Sequence, residues 1–297
     1  MNYRSLDKLS NFYFAAIIAI GIIYLLTIGL ILTRTTPGII MLLVYLQDSY
    51  KFGYPLSNLS SYNQLISSSV LWALGIYFTG KVLVAIISTV KIILNTRRFI
   101  SKLEIISSKN NKYIFKSSGG EVFTAGILNS RIYIADSLKI IHSKKEIRAI
   151  LTHEQRHVLA RDPLRTTLVS MITKALPNLP LKDKLIRNFN VLTEICADRL
   201  AQEKMLDSLP VVSALYKRLK MTEPRISASI NFFSAQSERI SILVGKQILS
   251  RRNMTWLASF TLFALMLGSY SILKTNFYTC PHLTNCITSV SSVLNFH

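Results

Sequence analysis

The apolar positions of the chain gather into three long blocks. Leu9 to Thr33 runs 25 residues without a charge, and a helix of that length spans roughly 37 Å, enough to cross a bilayer with tilt. A second block runs from Leu65 to Leu94, broken only by Lys81 and Lys91, whose stems let the ammonium groups reach the interface. The third, Met254 to Leu273, is twenty residues long, free of charge and preceded by Arg251 and Arg252. Transmembrane helices are expected over about 9–33, 65–94 and 254–273. Ile39 to Leu46 is apolar but too short to span, and reads as a re-entrant or interfacial piece.

Between the second and third blocks the pattern changes. Lys112–Ser117, Glu121–Thr124 and Ile127–Ala135 read as short strands, and Ser118, Gly119 and Gly120 suit a hairpin turn between the first two. Ser143 reads as a helix N-cap, with Glu146 three residues on completing a capping box. Ile147, Ile150, Leu151 and Val158 then space one apolar helical face. That helix is expected to end near Asp162-Pro163. Helical patterns follow over about Leu164–Leu176 and Lys184–Met205, with Pro177-Asn178-Leu179-Pro180 between them. The fold class is α+β: a small curved sheet beside helices, placed between membrane helices.

Charge sharpens the picture. Half of the 297 residues are apolar and 17% are charged, yet the formal charge is +20; a mean hydropathy of +0.35 excludes a disordered polyelectrolyte. Residues 97–252 carry 28 Lys/Arg against 13 Asp/Glu. Interleaved acids, lipid-grade flanks and the lack of a zinc-finger or RNP pattern argue against nucleic acid as the partner. A basic face beside anionic lipid is the simpler reading. Arg4 and Lys8 precede the first span, Arg97, Arg98 and Lys102 follow the second, and Arg251 and Arg252 precede the third. The positive-inside rule then places the N-terminus and the middle block in the cytosol. The expected division is a membrane region over 1–96, a cytosolic domain over 97–252, and a third span with a short exterior tail over 253–297. Cys280 and Cys286, six residues apart in that tail, suit a disulfide loop or two free thiols equally.

The chemistry lies in His153-Glu154-Gln155-Arg156-His157, an H-E-x-x-H on the capped helix. Residues four apart share a helix face, so both imidazoles reach one Zn2+. Glu154 points elsewhere, which suits a base acting on water rather than a ligand. A catalytic zinc needs a third protein ligand, and Glu194, one turn from Asp198 in the otherwise apolar stretch from Val191 to Leu200, supplies it. Asp198 then orients a histidine. Cys196, between the two carboxylates, is expected to pack rather than ligate. His142, ahead of the helix, reads as a loop histidine.

This combination resembles the BlaR/MecR family of membrane zinc peptidases and is similar to the related HtpX and CAAX-prenyl-protease gluzincins. The resemblance is carried by His153-Glu154-x-x-His157, Asp162-Pro163 and Glu194-x-x-Ala197-Asp198, with the stretch from Phe123 to Leu128 ahead of Arg131-Ile132-Tyr133-Ile134, and covers roughly Lys112 to Leu243. It implies His153, His157 and Glu194 as zinc ligands, Glu154 as base, Asp198 as the group behind a ligand, and Arg239 as a residue that stabilises the oxyanion or positions substrate. Phe233 stands where HtpX-like proteases often place a histidine. No penicillin-binding sensor module fits in the 24 residues after the third span, so sensing of β-lactams by acylation is not supported.

The expected protein is therefore a multi-pass zinc metalloendopeptidase of the inner (plasma) membrane, its active site cytosolic, its cofactor Zn2+. Its partners are a protein substrate (a transcriptional repressor or a membrane protein), the lipid bilayer and a second copy in a homo-oligomer, in a signalling or regulatory setting. The strand Arg131–Ala135 is expected to offer an edge to extended substrate. The alternative is a non-catalytic membrane scaffold that passes an exterior signal to a cytosolic regulator; an intact Glu154 favours the enzyme.

Overall fold

The computed structural model describes residues 3–53, 63–177 and 180–221. Arg239, Phe233, the span over 254–273, Cys280 and Cys286 lie outside the described residues. Two long helices come first, α1 (Tyr3–Phe52) and α2 (Asn63–Ser101), followed by strands β1 (Ile105–Lys109), β2 (Lys112–Phe115), β3 (Val122–Ala125) and β4 (Arg131–Ala135). Helices α3 (Leu138–Ile141), α4 (Lys144–Leu159), α5 (Asp162–Ala175), α6 (Pro180–Met205) and α7 (Leu209–Met221) complete the described chain. The class is α+β. Of the described residues, one compact unit takes those within 3–22 and 81–221, the other those within 23–80.

Both long helices are apolar enough to cross a membrane. The apolar piece Ile39–Leu46 is not separate from the first span, as the sequence suggested: α1 continues through Pro37 to Phe52. Proline removes the backbone donor that would serve the Thr33 carbonyl; just before it the hydroxyls of Thr35 and Thr36 bond back to the carbonyls of Ile31 and Leu32 at 2.7 and 2.6 Å. In the unit of residues 23–80 the two helices approach closely. A Cβ on Gly75 would lie 2.7 Å from Leu32 Cδ2, and one on Gly38 would lie 2.9 Å from Ser68 Cβ. Small residues permit that approach.

The other unit holds the sheet, ordered β1-β2-β4-β3. The hairpin expected between β2 and β3 does not form. Instead β2 pairs antiparallel with β1 (Lys112 opposite Lys109) and parallel with β4 (Lys112 opposite Ile132), and β3 pairs antiparallel with β4 (Ala125 opposite Arg131). The physical reason lies at Asn110 and Asn111, both with positive φ (51° and 61°), which close a two-residue turn and commit one side of β2 to β1. The chain after Gly120 crosses over, and β4 fills the other side. β4 is therefore interior, not the edge the sequence suggested; β3 is the edge beside the helices. Its end is fixed by Gly126 at φ +107°, where a Cβ would meet Asn129 O at 2.3 Å.

Alternation along the strands gives the sheet two apolar faces. Phe115, Ala125, Tyr133 and Ala135 pack with Ile100 and Leu103 from the end of α2. On the other face Val122, Ile132 and Leu138 pack against Ile147, Ile150, Leu151 and Val158 of α4. Ala149, elsewhere on α4, packs against Ala201 of α6 and Val211 of α7. Helix α4 is thus held between the sheet and two helices, which fixes what its remaining side chains face.

Candidate metal centre

The start of α4 is set by its capping box: Ser143 Oγ accepts from Glu146 N at 3.3 Å and Glu146 Oε2 accepts from Ser143 N at 2.8 Å. Glu146 also takes Lys217 Nζ of α7 at 2.8 Å and accepts from the Ser213 hydroxyl. Burial raises the Glu146 pKa, but these donors outweigh it and hold the carboxyl at about 2. His142 lies in the short connection between α3 and α4, as expected of a loop histidine, but it is buried, caps α3 and places Nδ1 3.6 Å from Glu146 Oε2.

From this fixed start, His153 and His157 fall one turn apart with Nε2 atoms 3.1 Å from each other. Glu194 of α6 brings Oε2 to 3.6 Å from His153 Nε2 and Oε1 to 3.6 Å from His157 Nε2. A tetrahedral ion with bonds of about 2.0–2.1 Å needs donors roughly 3.3 Å apart, so the spacing suits one. The opposite nitrogens are engaged. His153 Nδ1 lies 2.8 Å from Asp198 Oδ1, and His157 Nδ1 lies 2.7 Å from Asp162 Oδ2. Each carboxylate accepts an Nδ1–H and so turns the Nε2 lone pair inward. Two Nε2 atoms and a carboxylate converge, a set that suits a cation, either a proton or a metal ion that displaces it. Burial lowers the His153 pKa, but Asp198 and Glu194 outweigh it and lift the imidazole to about 9.

Glu154 stands beside this set without joining it. It is buried, and the Thr124 hydroxyl of β3 donates to its Oε2 at 2.7 Å. Glu154, His157 and Glu194 line a cavity of about 1210 Å3 together with the end of β3, the Gly126–Asn129 turn and Ile92, Ile93 and Arg97 of α2. Cys196 is fully buried on α6, and burial pushes its thiol up to about 12, so it packs.

Helical spacing in the sequence points to His153, Glu154, His157, Glu194 and Asp198, and the structure brings all five together. Three further contributors have no role that spacing reveals. Asp162 reaches back to His157 because Arg161 takes the left-handed conformation (φ 54°), so that α5 begins directly under the end of α4; the Asp162-Pro163 pair was the available signal. Thr124 had none. Arg156, fully buried, pairs with Asp162 and with Asp7 at 2.9 Å, and burial within an H-E-x-x-H helix is not legible from spacing. For Asp162 itself, burial raises the pKa, yet His157 and Arg156 outweigh it and hold the carboxyl below its ordinary range.

No curated protein matches the chain. Residues 91–293, which hold every element from β1 to α7 and all the residues of this centre except Asp7, match the model of Peptidase family M48. The chain belongs to peptidase family M48 and is a metallopeptidase.

Proposed function

We propose that this protein is a zinc-dependent endopeptidase, held in the plasma membrane by α1, α2 and the apolar stretch over 254–273, with its catalytic domain in the cytosol. The observation that carries it is the pairing of an inward-facing His153, His157 and Glu194 set with a base, Glu154, held separately on the same cavity wall. A structural metal has no use for such a base, which separates this reading from a signalling scaffold.

His153, His157 and Glu194 would hold the zinc, which supplies Lewis acidity toward the scissile carbonyl and its attacking water. Thr124 holds the Glu154 carboxylate through Oε2, and that carboxylate takes the water proton and passes it to the amine nitrogen as the peptide bond breaks. An extended substrate lies along the open edge of β3, the strand that carries Thr124, and its side chains enter the cavity. By the resemblance, Arg239 stabilises the developing oxyanion or positions the substrate. The substrate is a protein, cytosolic or membrane-borne, and a regulator such as a repressor fits a signalling role; the enzyme works as a single chain or a homo-oligomer.

The test is metal content together with ligand variants. Purified protein should hold about one Zn2+ per chain. His153→Ala, His157→Ala and Glu194→Ala should each abolish tight binding, and full zinc retention in Glu194→Ala would remove that residue from the set.

A further inference from the structure

Asp162, which holds His157, is itself held by two arginines that both lead to α1. Arg156 donates to the same Oδ2 that His157 uses, and Arg165 Nη1 donates to Oδ1 at 3.2 Å. The second nitrogen of each guanidinium reaches the start of α1. Arg156 Nη2 donates to Asp7 Oδ1 at 2.9 Å, and Arg165 Nη2 donates to the backbone oxygen and hydroxyl of Ser10 at 3.0 Å each. A guanidinium is a planar fork, so fixing one tine fixes the other. All of these residues lie in one compact unit.

We infer that the start of α1 is a working part of the metal centre: Asp7, acting through Arg156, is a positioning residue that holds Asp162 against His157. The inference rests on the reading of His153, His157 and Glu194 as metal ligands. Charge and geometry carry it. Arg156 and Arg165 bring two buried positive charges against the one negative charge of Asp162, and Asp7 makes the cluster neutral. Without the Asp7 charge a positive excess is left directly behind an imidazole that has to bind a dication, and Arg156, left with only neutral partners such as Tyr3 on that side, pulls harder on the oxygen that His157 needs. Removing one member of a buried charge cluster acts on its neighbours because the interior cannot screen it. Asp7 has a side chain 32% exposed, whereas that of Arg156 is wholly buried. Replacing Asp7 therefore alters the charge balance without opening the core. A helix end that the sequence assigns to membrane anchoring thus belongs, by its contacts, to the site.

The experiment uses the full-length protein in detergent. Zinc affinity is measured by competition with a chelator, ligand geometry by the visible spectrum of the Co2+ form, and folding by the thermal midpoint. Asp7→Asn keeps the shape and removes the charge. It should weaken zinc binding about three- to tenfold, less than the roughly 10–100-fold typical of a carboxylate that orients a ligand directly, and should shift the Co2+ spectrum. Asp7→Ser carries the same expectation should the first variant fold poorly. In an Asp162→Asn background the further change at Asp7 should have a clearly smaller effect, since its positioning route to His157 is gone and only the charge effect remains. Unchanged zinc affinity and Co2+ spectrum in Asp7→Asn and Asp7→Ser overturn the inference, even if the midpoint falls. So does a loss of the same size with and without Asp162. Wild-type protein that binds no metal overturns the metal centre itself, and the inference with it.

Discussion

At His153 and His157 the decisive matter is which nitrogen each ring presents. Helical spacing places two imidazoles on one face but says nothing of their tautomers; Asp198 and Asp162, bonded to the Nδ1 atoms at 2.8 and 2.7 Å, settle that. Asp198 was legible because it lies one turn from Glu194 in an apolar stretch. Asp162 was only half legible, as a motif residue with no role, because its reach depends on the single left-handed residue Arg161. Two predictions belong to these side chains. Asp198→Asn should weaken zinc about 10–100-fold while leaving the fold intact, read by chelator competition. Thr124→Val keeps the size of the side chain but frees Glu154 Oε2; kcat should fall about tenfold with KM and zinc content little changed. A Thr124→Val enzyme with wild-type kcat would show that the hydroxyl does not position the base.

Helix α4 is the element on which the site depends, and its start was the most legible part of the fold. The capping box over Ser143–Glu146 was readable because its residues are local. Strand β1 was not, since all five of its residues are exposed and carry no alternation; β2 then lacked its true partner, and the hairpin was assigned to the wrong neighbour. The Glu146 network gives α4 a definite acid response. Its carboxyl sits at about 2 when folded against an ordinary value of 4.5, so its stabilisation is complete above about pH 4.5 and is lost as the pH falls toward 2. Thermal midpoints of wild type and Glu146→Gln should differ most at neutral pH and converge across that window. A constant difference from pH 7 to pH 2.5 contradicts the network. Separately, Ser143→Ala should cost about 1 kcal/mol of stability, read by denaturant unfolding.

For the molecule as a whole, hydropathy marked the two long helices more plainly than any motif. Two helices of membrane-crossing length lead into a basic α+β domain, and the cavity beside Glu154 is walled partly by the C-terminal part of α2, through Ile92, Ile93 and Arg97. What sequence did not reveal is that α1, 149 residues away from Arg156, also enters the centre; long-range pairing leaves no periodic trace. The orientation is checked by a cysteine at residue 140, where the Ile140 side chain is exposed. In Ile140→Cys with Cys280 and Cys286 replaced by serine, a membrane-impermeant maleimide should label residue 140 only after cells are opened; labelling of that residue in intact cells contradicts a cytosolic domain. The measurement that bears most directly on the central claim is peptide-bond hydrolysis by wild type and Glu154→Gln, each with its zinc content determined on the same preparation. Wild type should cleave, and Glu154→Gln should keep about one Zn2+ per chain while its turnover falls by at least about a hundredfold. A Glu154→Gln protein that retains zinc and cleaves at the wild-type rate would contradict the account.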